Sequence, residues 1–413
     1  MSEATAVSLE HLRTLVGGEA VAIRGHAILE PAGGPGDKVF PPSHSVDDRR
    51  PPPGAKYAFE QRRMDGRDVS CVLLDSVQSQ ANRMEAALES LWRDKKIALP
   101  VISVDFQHAA PDVGVVTSLA APHRVADALL RDSLLEGTLF RLSPVGRSFT
   151  DATTHNAAPL FRVCPSGLLF GLWDSTGPKG GLGSKFARAI VSEIVGVGAV
   201  TGVKTASRID PTGIVTRAAE IFKAKDRVEG WTPDENLALR DAKGNPERVG
   251  DGRVSEVNHS NVPPTIDEVA GGVTIDEARH TVVLSLAGLR KLGFGDGDLE
   301  ARTALAALGL LAVLANDRAG HDLRSRCLLV PRPGHALKLE AVRGDGTTQP
   351  LSLDLEGAVR LFNEAVAALP GTLRFTSPPG EPLVTLTPSP KLVHLVTRSR
   401  ELSAAGADAD EES

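Results

Sequence analysis

The chain has 413 residues but only three cysteines, Cys71, Cys164 and Cys327, and no CxxC pair. This spacing argues against a disulfide framework and against a thiolate zinc site, and it fits a reducing cytosol. The eleven histidines include no HxxxH or HExxH pattern. We therefore expect no metal ion and no cofactor.

The sequence also has no long apolar run and no recognisable leader peptide. Its longest apolar stretch, residues 303–315, is too short to cross a bilayer and predicts a buried helix. The N-terminal residues contain no basic segment followed by an apolar one. We expect no signal peptide, no membrane partner and a cytoplasmic location.

The formal net charge is −6, which disfavours binding to nucleic acid, but the charge is unevenly distributed. The last thirteen residues contain five acidic residues and no basic ones, so the rest of the chain has a net charge of −1. Residues 174–227 contain nine lysines and arginines against five acidic residues. Such a basic face can bind phosphate, because screening confines its field to about 10 Å.

Hydrophobic periodicity predicts several regular elements. It indicates strands at 19–30, 159–173 and 271–286 and helices at 75–94, 299–316 and near 354–368. Asp75 is the predicted N-cap of the first helix, with Gln78 as its capping-box partner. The polar segment 228–265 cannot form a hydrophobic core, so we expect a flexible or projecting excursion there.

The stretch DSTGPKGGLGSKFAR, residues 174–188, combines glycines with two lysines and an arginine. It departs from the Walker A and Rossmann patterns, because Lys185 follows a serine and the glycine spacing differs. What remains is a strand, a glycine turn and a helix beginning at Ser184, an arrangement that binds anions. In this helix Phe186, Ile190 and Ile194 would face inward, and Lys185, Arg188 and Ser192 would face outward. A tight turn with solvated lysines would use the same residues.

Five segments occur in a characteristic order: DSVQSQANRMEAAL (75–88), FGLWDSTGPKGGLGSKFARAIVSEIVG (170–196), ASRIDPTGI (206–214), SEVNHSNVPP (255–264) and TVVLSLAGLRKL (281–292). Together they resemble the Cas-seven backbone subunit of a type I-U (also called I-G) CRISPR Cascade effector complex, a RAMP protein. The resemblance extends over residues 20–330.

The resemblance implies an α+β fold: a modified RRM-like (ferredoxin-like) palm with large insertions and a projecting thumb hairpin. The first part of the palm would comprise residues 1–227, with a Pro/Gly-rich insertion near 31–56. Residues 228–265 would form the thumb. Residues 266–400 would complete the palm with C-terminal additions, and residues 401–413 would be a disordered acidic tail.

The resemblance also implies a non-catalytic subunit that binds CRISPR guide RNA. Copies of it would polymerise along the guide, contact other Cascade subunits and present the guide for pairing with target DNA. Arbitrary spacers require binding through the phosphates, because phosphate contacts carry no sequence information. Aromatic residues make up 4% of the chain and no RNP-like motif occurs, so we do not expect bases to stack on the sheet.

The RNA-binding residues that the resemblance implies lie in four segments. They are Lys179, Gly183, Ser184, Lys185 and Arg188 in the glycine loop, Lys204 and Arg208 in the following strand, Asn82 and Arg83 in the QANR motif, and Asn258 and His259 at the base of the thumb. The QANR helix could equally pack between neighbouring subunits. The type I resemblance also implies that Asp226, Asp251 and Asp267 are catalytically inert.

Two other functions fit parts of the sequence. A RAMP endoribonuclease that processes CRISPR precursor RNA would use a histidine as general acid or base, with His26 and His44 as candidates. No His/Tyr/Lys cluster in the sequence supports it. A phosphate-binding metabolic enzyme would instead place a small-ligand pocket over residues 177–185.

Overall fold

The chain has an α+β fold in the computed structural model, which describes residues 4–44, 56–175, 184–226 and 228–404. The chain divides into two compact units. Unit 1 comprises residues 1–200 and 273–393, and unit 2 comprises residues 201–272 and 394–413. The predicted excursion 228–265 lies inside unit 2.

The strands of the described residues range from two to ten residues in length. In chain order they are β1 Thr5–Ala6, β2 Ala22–Pro31, β3 Phe59–Met64, β4 Arg67–Asp75, β5 Ile102–Asp105, β6 Val115–Thr117, β7 Ser133–Leu135, β8 Thr138–Leu139, β9 Leu172–Trp173, β10 Lys185–Phe186, β11 Ile190–Val197, β12 Val200–Thr201, β13 Lys204–Arg208, β14 Phe222–Lys223, β15 Trp231–Thr232, β16 Val262–Asp267, β17 Val273–Thr274, β18 Glu277–Ser285, β19 His321–Asp322, β20 Leu328–Pro331, β21 Lys338–Val342, β22 Thr348–Ser352 and β23 Val384–Pro388.

The α-helices of the described residues include three long ones that support the main sheet or its flank. In chain order the helices are α1 Leu9–Thr14, α2 Val77–Arg93, α3 Ala128–Arg131, α4 Pro144–Thr150, α5 Ala158–Phe161, α6 Pro165–Phe170, α7 Leu286–Leu289, α8 Asp298–Ala319, α9 Leu355–Ala367 and α10 Pro390–Ala404.

The main sheet of unit 1 has the strand order β1-β22-β21-β2-β18-β11-β4-β3, with β20 paired to β2 and β19 paired to β20. The long central strands β2, β18 and β11 are antiparallel, and His280 of β18 lies opposite Ala27 on one side and Ile194 on the other. Buried residues alternate along β2 and β18, as expected for strands with one covered face. These strands confirm the predictions for 19–30 and 271–286.

Helices α2 and α8 pack on each other and against β11 and β18 respectively. Most of α8 is buried, including Leu305, Leu308 and Leu311, because alanine and leucine occupy nearly all of its inner turns. Each leucine removed from water stabilises the fold by about 1.5–3 kcal/mol. The predicted buried helix at 303–315 is therefore confirmed, and α9 confirms the helix predicted near 354–368.

The first long helix begins one residue later than predicted. Ser76, not Asp75, is the N-cap of α2, and its hydroxyl accepts a hydrogen bond from the Ser79 amide. Asp75 is buried and accepts a bond from Gln80 Nε2 at 2.6 Å. The Asp75 carboxylate therefore contacts Gln80 and Arg83 instead of capping the helix start.

The segment 159–173 was predicted as a buried strand, but only Leu172–Trp173 is a strand. The segment is buried as expected, yet it forms the short helices α5 and α6. Each has a proline in its first turn, where the missing amide hydrogen leaves no hydrogen bond unmade. Gly171, with φ at +89°, ends α6.

The helix predicted to begin at Ser184 is also wrong. Residues 185–186 form β10 and residues 190–197 form β11, which lies between β18 and β4. The apolar positions 186, 190 and 194 are spaced by four, which satisfies the period of a strand as well as that of a helix. Valines and isoleucines in this stretch favour the strand.

Unit 2 is built mainly of turns and short ladders. Strands β13 and β16 pair antiparallel, and so do β14 and β15. Asp210 stabilises a turn at Asp210-Pro211, because its carboxylate accepts bonds from the Thr212 and Ser260 amides at 2.8 and 2.6 Å. The predicted disordered tail, 401–413, is helical over residues 401–404, where α10 ends, and its remainder lies outside the described residues.

Candidate nucleic-acid interface

A cleft of about 640 Å³ opens in unit 1, and we call it the Trp173 cleft. It forms where the first turns of α2, the turn at 122–124 and the segments 170–175 and 185–188 meet. Its exposed polar and aromatic lining is Gln78, Asn82, His123, Trp173, Lys185 and Arg188. Two of the segments that carried the resemblance, about eighty residues apart, therefore meet in one cleft.

Helix α2 supplies one wall of the cleft. Gln78 and Asn82 are four residues apart and share its exposed face. The stripe of Ala81, Met84 and Leu88 faces the core, as the periodicity predicted. Amide side chains at this position can donate hydrogen bonds to phosphate or to base edges.

The opposite wall is the two-stranded ribbon of β9 and β10. Its register places Lys185 opposite Trp173, and the Lys185 Nζ lies 5.3 Å from the centroid of the indole ring. Trp173 is 58% exposed, which is unusual for so large an apolar side chain. The pair offers a cation and a flat aromatic face side by side, which suits a sugar-phosphate chain and its bases.

The floor of the cleft holds a buried ion pair. The Arg124 guanidinium donates to both carboxylate oxygens of Glu85 at 2.7 Å and to the Gly171 carbonyl at 3.1 Å. Burial raises the pKa of Glu85 to about 7, and the charge of Arg124 opposes that rise. The pair fixes the floor, because removing either partner would leave the other charge buried and uncompensated.

Arg188 is the exposed cation of the opposite rim. Partial burial lowers the pKa of its guanidinium, the nearby charge of Arg124 lowers it further, and Glu85 opposes the change. Among the described residues, neither Lys185 nor Arg188 forms an ion pair with a carboxylate. Their charges are therefore available to an anion in the cleft.

Other predicted binding residues point into the protein. The Ser184 hydroxyl is buried and lies within hydrogen-bond distance of the carbonyls of Phe149, Thr150 and Ala152. Arg83 donates to Asp75 and to the carbonyls of Asp322 and Leu323. These contacts are structural, and they leave little of either side chain for RNA. Lys179 and Gly183 lie outside the described residues.

Of the four predicted residues of unit 2, Lys204 and Arg208 lie at the two ends of β13, and Asn258 and His259 lie in the turn before β16. Arg208 donates to the carbonyls of His259 and Ser260 at 2.8 and 3.0 Å and to Asn258 Oδ1 at 3.3 Å. Asn258 has a left-handed backbone, with φ at +61°. Lys204 is paired with Asp267 at 3.2 Å.

His259 has a half-exposed side chain. Its ring packs edge-on to Trp231, with the centroids 5.8 Å apart. Its Nδ1 lies 3.9 Å from Asp210 Oδ2. Arg208 holds the backbone of this turn, and the exposed part of the His259 ring faces solvent.

A second cavity of unit 1, about 320 Å³, is lined by His26, His335, Lys338 and Glu340. Burial and the charge of Arg24 lower the pKa of His26, and Glu340 opposes the change. The sequence did not suggest this group, because His26 and the other three residues are about three hundred positions apart. His44, the other histidine considered for RNA cleavage, is not in it.

The sequence missed Trp173, His123 and Gln78 as lining residues of the Trp173 cleft. Trp173 directly precedes the glycine stretch in the FGLWDSTG segment, and this was the available signal. His123 had none, because the turn at 122–124 belongs to no motif.

A comparison with known protein families covers two of the five segments that carry the resemblance, 75–88 and 170–196. Residues 23–201 match the family described as CRISPR-associated protein GSU0053. The crystal structure of Thermofilum pendens Csc2 aligns with 10% sequence identity over 97% of this chain and 81% of that chain, but its TM-score of 0.27 carries no argument. No curated protein matches the sequence. No helix among the described residues is long and apolar enough to cross a membrane. The family match confirms the predicted resemblance to CRISPR-associated proteins.

Proposed function

We propose that this CRISPR-associated chain, whose residues 23–201 match the GSU0053 family, is a Cas-seven-type backbone subunit that binds CRISPR guide RNA. Copies of it polymerise along the guide, associate with the other Cascade subunits and hold the guide for pairing with target DNA. The cytoplasm is where such a complex would act.

The Trp173 cleft is the observation that carries this proposal. It combines Lys185 and Arg188, two cations with no ion pair in the part of the chain that the structure describes, with the amide of Asn82 and the open face of Trp173. Cations bind a nucleic-acid backbone whatever its sequence, which a subunit carrying arbitrary spacers needs.

In this proposal the main sheet of unit 1 is the modified RRM-like (ferredoxin-like) palm. The thumb lies within unit 2, whose ladders and turns include the segment 228–265. In that unit the ring of His259 is half-exposed and the ring of Trp231 is exposed, so both are suited to contact with RNA.

We test the proposal with the double variant Lys185→Ala, Arg188→Ala. Each phosphate contact to single-stranded nucleic acid contributes about 0.7 to the slope of log affinity against log salt. We expect the variant to flatten this slope by about 1.4, because two contacts are lost. Its affinity for guide RNA should fall about equally for all spacer sequences. Fluorescence anisotropy across a salt series measures both quantities.

The matched control is Lys291→Ala, Arg360→Ala, which also removes one exposed lysine and one exposed arginine from unit 1. Neither residue lines the Trp173 cleft. The control should retain the wild-type slope. Equal slopes for the wild type and the cleft variant would refute the proposed interface.

We further propose that the subunit does not cleave RNA. The alternative, a RAMP endoribonuclease, would now draw on His26 and His335 of the second cavity, with Lys338 beside them. Incubation with a transcript containing CRISPR repeats decides between them. Cleavage that is lost in His26→Ala would favour the endoribonuclease, and an intact transcript favours the backbone subunit.

A further inference from the structure

Three polar atoms face one another in the interior of unit 1. His280 Nδ1, Asp317 Oδ1 and His321 Nε2 make no hydrogen bond within the described chain. One ligand atom from each of these residues lies within 4.8 Å of the others. His280 and His321 are 1% and 3% exposed. Buried polar atoms without partners are rare in native proteins, so a group of three requires an explanation.

The hydrogen bonds around His280 determine which of its nitrogens carries the proton. Gln80 Nε2 donates to Asp75 at 2.6 Å, which leaves Gln80 Oε1 to accept from the Ser192 hydroxyl at 2.8 Å. A hydroxyl that donates to Gln80 must accept from His280, whose Nε2 lies 2.8 Å away. The proton is therefore on Nε2, and Nδ1 presents a lone pair to Asp317 and His321.

The spacing of the three groups suits a shared ion. Asp317 Oδ1 and His321 Nε2 are 3.3 Å apart without a hydrogen bond between them. Two ligands of a tetrahedral ion with bonds of about 2.0–2.2 Å lie at nearly this separation. The rings of His280 and His321 are 5.3 Å apart at 72°, so both can direct a nitrogen to one point.

We propose that His280, Asp317 and His321 bind a divalent transition-metal ion, and that Zn²⁺ is the ion that fits this donor set. Two imidazoles and one carboxylate are common zinc ligands, and three protein ligands leave a fourth position for water. The Asp317 side chain is 28% exposed, which provides a route for entry. Ser192 and Gln80 are the outer groups that hold the ligating tautomer.

The ion would join strand β18 to the end of α8 and to β19. Sequence patterns gave no sign of it, because His280 is 37 residues before Asp317 and the remaining Asp-x-x-x-His spacing is neither HxxxH nor HExxH. Gln80 belongs to the QANR motif, so this motif would support the metal ligand from one side of α2 while Asn82 lines the Trp173 cleft.

The test uses the full chain, purified without a histidine tag and stripped with a chelator. Titration with Zn²⁺ against a chromophoric chelator should give one bound ion per chain, and Co²⁺ should give the visible absorption of a tetrahedral site. Asp317→Asn should weaken Zn²⁺ binding at least tenfold, because it removes the anionic ligand. The matched control is Asp322→Asn, which changes the residue next to His321 in β19. This variant should bind Zn²⁺ as the wild type does.

Ser192→Ala provides a second variant, since it removes the acceptor that fixes His280. We expect about a tenfold to hundredfold loss of Zn²⁺ affinity. Zn²⁺ should also raise the melting temperature of the wild type more than that of Asp317→Asn, because a ligand that binds only the folded state stabilises it. Absence of saturable Zn²⁺ binding by the wild type would overturn the proposal, whatever the variants do. Equal binding by folded Asp317→Asn, as judged by circular dichroism, would overturn it too.

Discussion

Trp173 offers the most direct single-residue test of how the cleft holds RNA. Its exposed ring lies beside Lys185 in the β9–β10 ribbon, outside the main sheet. We expect Trp173→Ala to weaken RNA binding about tenfold, because stacking of a base on an aromatic ring contributes about 1–3 kcal/mol. Anisotropy at fixed salt measures the loss.

Trp173→Phe serves as the control for that substitution. Phenylalanine keeps an aromatic face and should recover most of the affinity. The salt slope should be unchanged in both variants, since neither alters the charge. If Trp173→Ala binds as tightly as the wild type, the ring contacts no base, and the grip is entirely on the backbone, as the sequence predicted.

Asp132 gives a pH dependence of stability at the same scale. A hydrogen bond from Arg131 and another from Lys391 lower the pKa of this carboxyl to about 2. The unfolded chain would titrate near 3.8, so the stabilisation is complete above that pH and is lost as the pH falls through about 2. From this shift we expect about 2 kcal/mol at neutral pH.

Urea unfolding of the wild type and Asp132→Asn measures this contribution. The difference in free energy of unfolding should be largest at pH 6 and should shrink toward pH 3, because the Asp132 carboxyl of the unfolded wild-type chain takes up a proton in this range while that of the folded chain stays ionised. A difference that stays constant from pH 6 to pH 3 would show that the charge of Asp132 is not the cause.

At the scale of elements, the sequence predicted helices better than the segments around the glycine stretch. The predictions of α2, α8 and α9 are correct because the apolar stripes or buried runs of these helices are long enough to identify a period. The helix predicted over residues 185–196 is wrong because a spacing of four fits both periods, and pairing with the neighbouring strands makes this segment a strand. The prolines of 159–173 are typical of short helices, whereas the apolar composition of this segment indicates only that it is buried.

Arg208 acts on an element, since it links β13 to the turn before β16. We expect Arg208→Ala to loosen residues 258–261, because the carbonyls of His259 and Ser260 would lose their charged donor. Arg208→Lys should rescue little, since an ammonium cannot reproduce the planar fork of a guanidinium. Hydrogen exchange in this turn is the measurement.

Arg240→Ala is the control for that experiment. Arg240 donates to the Gly244 carbonyl within its own local turn. Its loss should leave exchange at 258–261 unchanged. Slow exchange in Arg208→Ala, equal to that of the wild type, would show that other contacts hold the turn.

For the whole molecule, the sequence identified individual cleft residues but not their assembly into one site. Lys185, Arg188 and Asn82 were carried over by position, and their meeting depends on packing of α2 against β11. Ser184 and Arg83 were carried over in the same way, although their contacts turn inward. A linear motif cannot distinguish these cases, because it does not show which face of an element is covered.

Unit 2 allows a test at this largest scale. The amide of Gly202 donates to the Gly272 carbonyl at 2.8 Å, so the two ends of the intervening segment are adjacent. We expect replacement of residues 203–271 by a short glycine linker to leave unit 1 folded, while assembly on guide RNA is lost with the thumb. Circular dichroism and light scattering with and without RNA measure the two effects.

Insertion of the same linker between Gly344 and Asp345, in the turn between β21 and β22, controls for a change of chain length at the surface. It should preserve assembly. Normal assembly without residues 203–271 would contradict a thumb in unit 2, and unfolding of unit 1 would show that the segment is part of its core.

Gly171 lies next to both arginines of the cleft, and this position limits which residues can replace it. Its carbonyl is bonded to Arg124, and an added Cβ would lie 2.8 Å from the Cγ of Arg188. Its φ of +89° is also a conformation that other residues rarely adopt. Even alanine at this position would displace Arg188, and it would strain the backbone whose carbonyl is bonded to Arg124. Arg188, which is exposed and outside the buried ion pair, could therefore be exchanged in evolution more freely than Gly171.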